Sequence, residues 1–147
     1  MTGDIRIEIA HSLTVDERRQ IEALLPQLSS TIAFDPDRLQ AMLDVPGVEL
    51  FLALDEKEVV GMATLATFPL VTGWRGIVED VVVDHERRGR GVARRLLEAI
   101  IDESARLRLR TLDLTSRPSR ASAIRLYESL GFERRETNAM RFVPRQA

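Results

Sequence analysis

Glu79 and Asp80 stand side by side directly ahead of an apolar run, Val81-Val82-Val83, and a glycine- and arginine-rich stretch follows. A carboxylate can take a proton from a reacting group if it is held within hydrogen-bond reach of it. The stretch Arg88-Gly89-Arg90-Gly91-Val92-Ala93-Arg94 offers a different chemistry. It reads as a turn that opens a helix, and the first helical turn leaves N–H groups without internal acceptors. Glycines allow close approach to that backbone, and the helix dipole favours negative charge there. Arg87, Arg88, Arg90, Arg94 and Arg95 add cationic side chains around the same turn. A pyrophosphate, or something equally anionic, suits such a place. The string is neither a G-x-x-x-x-G-K-[ST] loop nor a complete G-x-G-x-x-G, because Arg94 occupies the third glycine position. The same residues would also serve as a solvated, arginine-rich turn capping a surface helix.

A further candidate lies downstream. Ala123, Leu126, Tyr127 and Leu130 recur at helical spacing, which puts the only tyrosine on or beside a buried stripe. A core tyrosine with a satisfied hydroxyl and a proton donor beside a site are both open on that spacing.

The elements that must position these groups follow from periodicity. Ile5, Ile7 and Ile9 alternate with Arg6 and Glu8, as in an edge strand with one buried face. Thr14 and Glu17 form a capping-box pattern ahead of a helix to about Leu28. A second helix is expected over Pro36–Leu43, capped by Asp35. Val48–Leu54 and Glu58–Phe68 read as a hairpin, Pro69–Gly76 as a loop with Trp74, and Ile77–Val83 as a central strand. In that strand Glu79 shares parity with Val81 and Val83, so Glu79 and Asp80 are expected on opposite faces. Ala93, Leu96, Leu97, Ile100, Ile101 and Ser104 make the inward stripe of the helix that follows. Thr111–Thr115 is expected as a strand, and Ser119 as the cap of a helix ending at Leu130 with Gly131 as its stop. Phe132–Arg135 and Ala139–Val143 would be a closing strand pair. The order β-α-α-β-β-β-α-β-α-β-β calls for an α/β (α+β) fold, a mixed sheet with helices on both faces.

A chain of 147 residues, 44% hydrophobic and 30% charged, fits one soluble domain spanning residues 1–147. With no cysteine there is no disulfide, thiolate metal site or cysteine nucleophile, and two histidines make an imidazole metal site unexpected. No signal region or membrane-length apolar run occurs, so a cytoplasmic location is expected. The net charge of −2 hides an asymmetry, −8 over residues 1–83 and +6 over residues 84–147. That division suits an anionic ligand meeting a cationic one.

V-x-V followed by R-x-x-G-x-A (Arg88 to Ala93) and then A-x-x-L-Y-x-x-x-G-F (Ala123 to Phe132) resembles the GNAT superfamily of N-acetyltransferases. The resemblance implies a mostly antiparallel sheet in which two central parallel strands splay apart, with acetyl-CoA as co-substrate in the cleft and no metal. Backbone groups of Val81, Val82 and Val83 would then hydrogen-bond the pantetheine arm. The backbone from Arg88 through Gly89, Arg90, Gly91, Val92 and Ala93 to Arg94 would hold the pyrophosphate. Tyr127 would protonate the departing thiolate, with Glu79 and Asp80 as base candidates. Many members carry a cofactor-contacting asparagine where this chain has Arg120, a departure from the pattern in which an arginine could reach a phosphate instead. The string VEDVVV is also similar to a strand of glucosamine-6-phosphate N-acetyltransferases, where the two acids lie by the substrate.

The implied reaction is direct attack of a primary amine, on a small molecule or a peptide, upon the bound thioester. It needs proximity, a base and an acid, and no covalent acyl-enzyme. The alternative is a non-catalytic acyl-CoA-binding regulator of the same fold. Neither nucleic acid nor membrane is an expected partner, since the arginines are not interleaved with aromatics. A homodimer is compatible with the sequence.

Overall fold

A computed structural model describes residues 4–146. Its contacts divide the chain into two compact units, one up to Thr115 and one from Ser116. The first unit holds a five-stranded sheet in the order β1-β2-β3-β4-β5. The strands are β1 (Ile5–Ala10), β2 (Val48–Asp55), β3 (Glu58–Leu70), β4 (Gly73–Val83) and β5 (Thr111–Asp113). The first four are antiparallel neighbours, and β5 lies parallel to β4. Helices α1 (Val15–Leu28), α2 (Pro36–Asp44) and α3 (Val92–Arg106) complete this unit.

Each helix starts where local chemistry favours it. Thr14 accepts from the Glu17 N–H at 3.0 Å while Glu17 Oε1 accepts from the Thr14 N–H at 2.8 Å, so two otherwise orphaned donors are satisfied. Asp35 Oδ1 accepts from the amides of Asp37 and Arg38, with Pro36 at the first helical position.

The alternation of the strands sorts the helices onto two faces. Leu50, Leu52, Leu54, Met62 and Val82 pack with Ile21 and Leu24 of α1, and Leu39, Met42 and Leu43 of α2 close over the same cluster. Gly61, next to Met62, points the other way: a Cβ there would lie 3.2 Å from Val92 and 3.4 Å from Leu96. Leu96, Leu97 and Ile100 are fully buried, so α3 covers this second face with the expected stripe.

Two sequence expectations change here. The Pro69–Gly76 loop is mostly strand, because Phe68, Pro69 and Leu70 pair with Arg75, Trp74 and Gly73, leaving Val71-Thr72 as the turn. The closing strands at Phe132–Arg135 and Ala139–Val143 are absent, and residues 132–146 are irregular. Alternation makes a strand only where a neighbouring edge accepts its hydrogen bonds and a surface buries its apolar side. Met140, Phe142 and Val143 are exposed instead.

The buried stripe of α3 also holds a charge that the apolar pattern does not reveal. Glu103 is 6% exposed and receives two hydrogen bonds from Arg106, one of them at 3.0 Å. Those bonds hold Glu103 below the usual carboxylate range. Burial and a hydrogen bond with Glu103 push Glu49 of β2 up to about 7. The unfolded chain gives up its Glu49 proton near the ordinary 4.5, well before the folded chain does. Stability from Glu49 is thus present below that range and lost as pH rises through about 7. Glu49→Gln fixes the neutral state. Its melting temperature relative to wild type should rise by roughly 2–4 °C between about pH 5.5 and about pH 8, about half the full effect because solvent screens this half-buried group. A pH-independent difference in melting temperature would show that the two carboxylates do not share a proton.

Candidate functional site

β5 accompanies β4 for a short distance only. Arg75, Gly76 and Ile77 pair with Thr111, Leu112 and Asp113, and no strand among the described residues pairs with that side of Val78–Val83. An ion pair closes the paired segment, with Arg75 Nε and Nη2 at 2.9 and 2.8 Å from Asp113 Oδ2. Beyond that clamp β4 presents unpaired backbone N–H and C=O groups, the surface to which an extended ligand adds as a strand. Val82 and Val83 are buried and Val81 is half-buried. Backbone rather than side chain is what this strand offers.

Within the same stretch β4 contains a bulge. Met62 pairs with Val82 and Thr64 with Glu79, so Asp80 and Val81 together face Ala63. Asp80 takes the turn at φ +53°, a conformation costing roughly 1–2 kcal/mol that aspartate tolerates better than most residues. The extra residue corrects the expected parity. Glu79 shares its face with Val82, on the α1 and α2 side, and not with Val81 and Val83. Glu79 and Asp80 are both exposed.

The chain then enters the arginine-rich turn under close control. The Asp84 N–H donates to Val60 O at 2.8 Å, and His85–Arg87 form one short 3-10 turn. Gln27, on the last turn of α1, donates to Asp84 Oδ1 at 3.4 Å and accepts from the His85 N–H at 2.9 Å. Arg87 reaches Glu58 at 2.9 Å, Asp84 at 3.8 Å and Asp55 at 4.0 Å. Arg87 is therefore committed to holding the turn, which removes it from the cations expected around a ligand. Arg88, Arg90 and Arg95 are exposed and make no ion pair among the described residues, whereas Arg94, also exposed, is engaged within the chain.

Gly89 and Gly91 sit at φ +79° and +76°, and a Cβ on either would meet nothing within 4 Å. The positive φ explains the glycines, and the open space leaves the backbone accessible. Gly91 is the N-cap of α3 and supplies no side-chain cap; the first helical bond runs from the Arg95 N–H to Gly91 O at 3.1 Å. The N–H groups of Val92 and Ala93 therefore lack intrahelical acceptors. An unpaired strand edge leading into an uncapped, cation-flanked helix start fits an extended ligand that carries a pyrophosphate or a similar anion.

The second unit contains α4 (Ala121–Ser129). Arg120, not Ser119, is its N-cap residue and makes no side-chain cap bond, because the helix begins after a turn closed by the Arg120 N–H on Arg117 O at 3.0 Å. Gly131 ends the helix at φ +103°, as expected. Tyr127 is half-buried and meets Phe132 edge-to-face, with ring centroids 6.1 Å apart at 68°. Glu79 through Arg94 thus lie along one strand and helix start, while Arg120 and Tyr127 belong to this other unit. Gln27, Arg75 and Asp113 escaped the sequence reading, since no local pattern links them to residues so distant in the chain.

Residues 15–132 match the acetyltransferase (GNAT) family. The chain belongs to that family. Family members use acetyl-CoA, and no group of metal-ligating side chains occurs among the described residues. No helix among them is long and apolar enough to cross a membrane. Over 53 residues the chain is 47% identical to the ribosomal protein bS18-alanine N-acetyltransferase of Escherichia coli, a match covering 36% of this chain and 36% of that one. Among solved structures, a transcriptional regulator from Bacillus halodurans aligns with TM-score 0.81 at 24% identity, covering 95% of this chain and all 100% of the other. Glucosamine-6-phosphate N-acetyltransferase from Arabidopsis thaliana aligns with TM-score 0.79 at 18% identity, covering 96% and 99%. At those identities the two structures establish the GNAT fold and leave the acceptor open.

Proposed function

We propose that this member of the GNAT family transfers an acetyl group from acetyl-CoA to a primary amine by direct attack. The observation that carries the reading is the continuous track from the unpaired edge of Val78–Val83 to the open glycines at the uncapped start of α3. Val81 and Val83 would hold the pantetheine arm by backbone hydrogen bonds. The amides at the start of α3 would hold the pyrophosphate, with Arg88, Arg90 and Arg94 around it. When bound, acetyl-CoA supplies an activated acyl carbon with a thiolate as its leaving group. Glu79 takes a proton from the incoming ammonium, so that its nitrogen can form the new N–C bond as the C–S bond breaks. Asp80 acts as counter-ion to the acceptor. Tyr127, assigned by its motif, gives its hydroxyl proton to the sulfur. Arg120 would contact a phosphate of the carrier. The acceptor is an amine on a small molecule or a peptide, and the relatives' names suggest which to try.

Thiol release from acetyl-CoA would be followed with a peptide bearing N-terminal alanine and with an amino-sugar phosphate. Glu79→Gln should depress turnover most below the pKa of the best amine and leave acetyl-CoA affinity unchanged. Asp80→Asn should mainly raise KM for the amine. A pH–rate profile shared by wild type and Glu79→Gln would remove Glu79 from the base role. Acetyl-CoA binding without thiol release on any amine would favour an acyl-CoA-binding regulator instead.

A further inference from the structure

β1 bounds the sheet on the side away from the glycine turn, three strands from β4, and its outer edge pairs with no strand among the described residues. Six extended residues there leave alternate N–H and C=O groups without strand partners. Proteins commonly blunt such an edge with proline, a bulge or charged side chains. This strand has no proline and no bulge, and its two charges have opposite sign. The sequence Ile5-Arg6-Ile7-Glu8-Ile9 is also complementary to itself when reversed. An antiparallel copy centred on Ile7 sets Ile5 beside Ile9, and Arg6 beside Glu8.

The two faces of the strand fit the same arrangement. Ile5, Ile7 and Ile9 are half-buried on the α3 side. Ile7 and Ile9 border an open hollow of about 290 Å³ whose other walls include Phe51, Ala99, Asp102 and Arg106. On the opposite face Arg6 Nε lies 2.8 Å from Glu8 Oε1, with side chains 59% and 46% exposed.

We propose that β1 is a homodimer interface, pairing antiparallel with β1 of a second copy about a two-fold axis at Ile7. The two five-stranded sheets then form one continuous sheet, the isoleucine rows meet over the hollow, and Arg6 and Glu8 of both copies make a ring of alternating charge. The pairing does not depend on the acetyltransferase reading and leaves the track along β4 uncovered.

Sedimentation of the full chain at about 100 µM tests it, a concentration suited to an interface of modest area. Wild type should run as a dimer. R6E and E8R each create like-charge pairs across the axis and should weaken association roughly ten- to a hundredfold, with unchanged circular dichroism. An equimolar mixture of R6E with E8R should form a heterodimer, because each charge again meets its opposite. The doubly reversed R6E/E8R chain should regain the homodimer. Since the chain has no cysteine, Ile7→Cys should cross-link to a covalent dimer on mild oxidation. A monomeric wild type, single variants that dimerise normally, or a mixture that fails to associate would each overturn the proposal.

Discussion

Tyr127→Phe is expected to lower kcat by about 10²-fold at neutral pH. A positioned general acid contributes roughly 10²–10⁴-fold, and a thiol is acidic enough for its thiolate to leave readily, which brings the effect to the low end. The change removes only the hydroxyl. The ring keeps its edge-to-face contact with Phe132. The hydroxyl has no hydrogen-bond partner among the described residues, so its removal should cost less stability than the roughly 0.5–1.5 kcal/mol of a typical bond. A structural tyrosine, acting through its ring, predicts near-normal turnover with an equally small change in melting temperature. Measuring kcat on this one variant separates the two roles, and its melting temperature checks that the fold is intact. Normal turnover would leave the chain without an identified acid.

Gly91→Glu should abolish measurable acetyl-CoA binding. Two effects add at this position. A side chain at φ +76° is strained by roughly 1–2 kcal/mol. A carboxylate placed about 4 Å from a pyrophosphate is repelled by roughly 1–4 kcal/mol per charge pair, or about 10²-fold in affinity at the middle of that range. Gly91→Ala separates these terms, because its Cβ meets nothing within 4 Å and it adds no charge. Calorimetry should find binding nearly intact in the alanine variant and lost in the glutamate variant. Acetyl-CoA should correspondingly raise the melting temperature of wild type but not of Gly91→Glu. Equal affinity in wild type and Gly91→Glu would place the pyrophosphate elsewhere.

The Val81–Ala93 stretch was legible in the sequence because its information is local. An apolar run, two glycines and a helical stripe within a dozen or so residues dictate strand, left-handed turn and helix start in that order. The side of the sheet on which Glu79 lies was not legible. Parity counting assumes two residues per repeat, and the bulge at Asp80 inserts a third. The tail misled for a related reason: Ala139–Val143 alternates well, but alternation does not create a partner edge. Residues that brace the site from afar, such as Gln27 on Asp84 and Arg75 on Asp113, leave no periodic trace. Their roles exist only after the chain has brought together positions separated by 57 and 38 residues.

The brace on the arginine-rich turn changes how that segment moves. A solvated surface loop exchanges its amide hydrogens by opening alone, at almost no free-energy cost. Here the amide of Gln27 and the guanidinium of Arg87 tie the start of the turn to the end of α1 and to the β2–β3 hairpin. Detaching the turn therefore means releasing the end of α1 or the hairpin as well, a sub-global opening rather than loop motion. The backbone proposed to hold the anion is thus kept in shape before any ligand arrives, and the ordering entropy is met during folding rather than on binding.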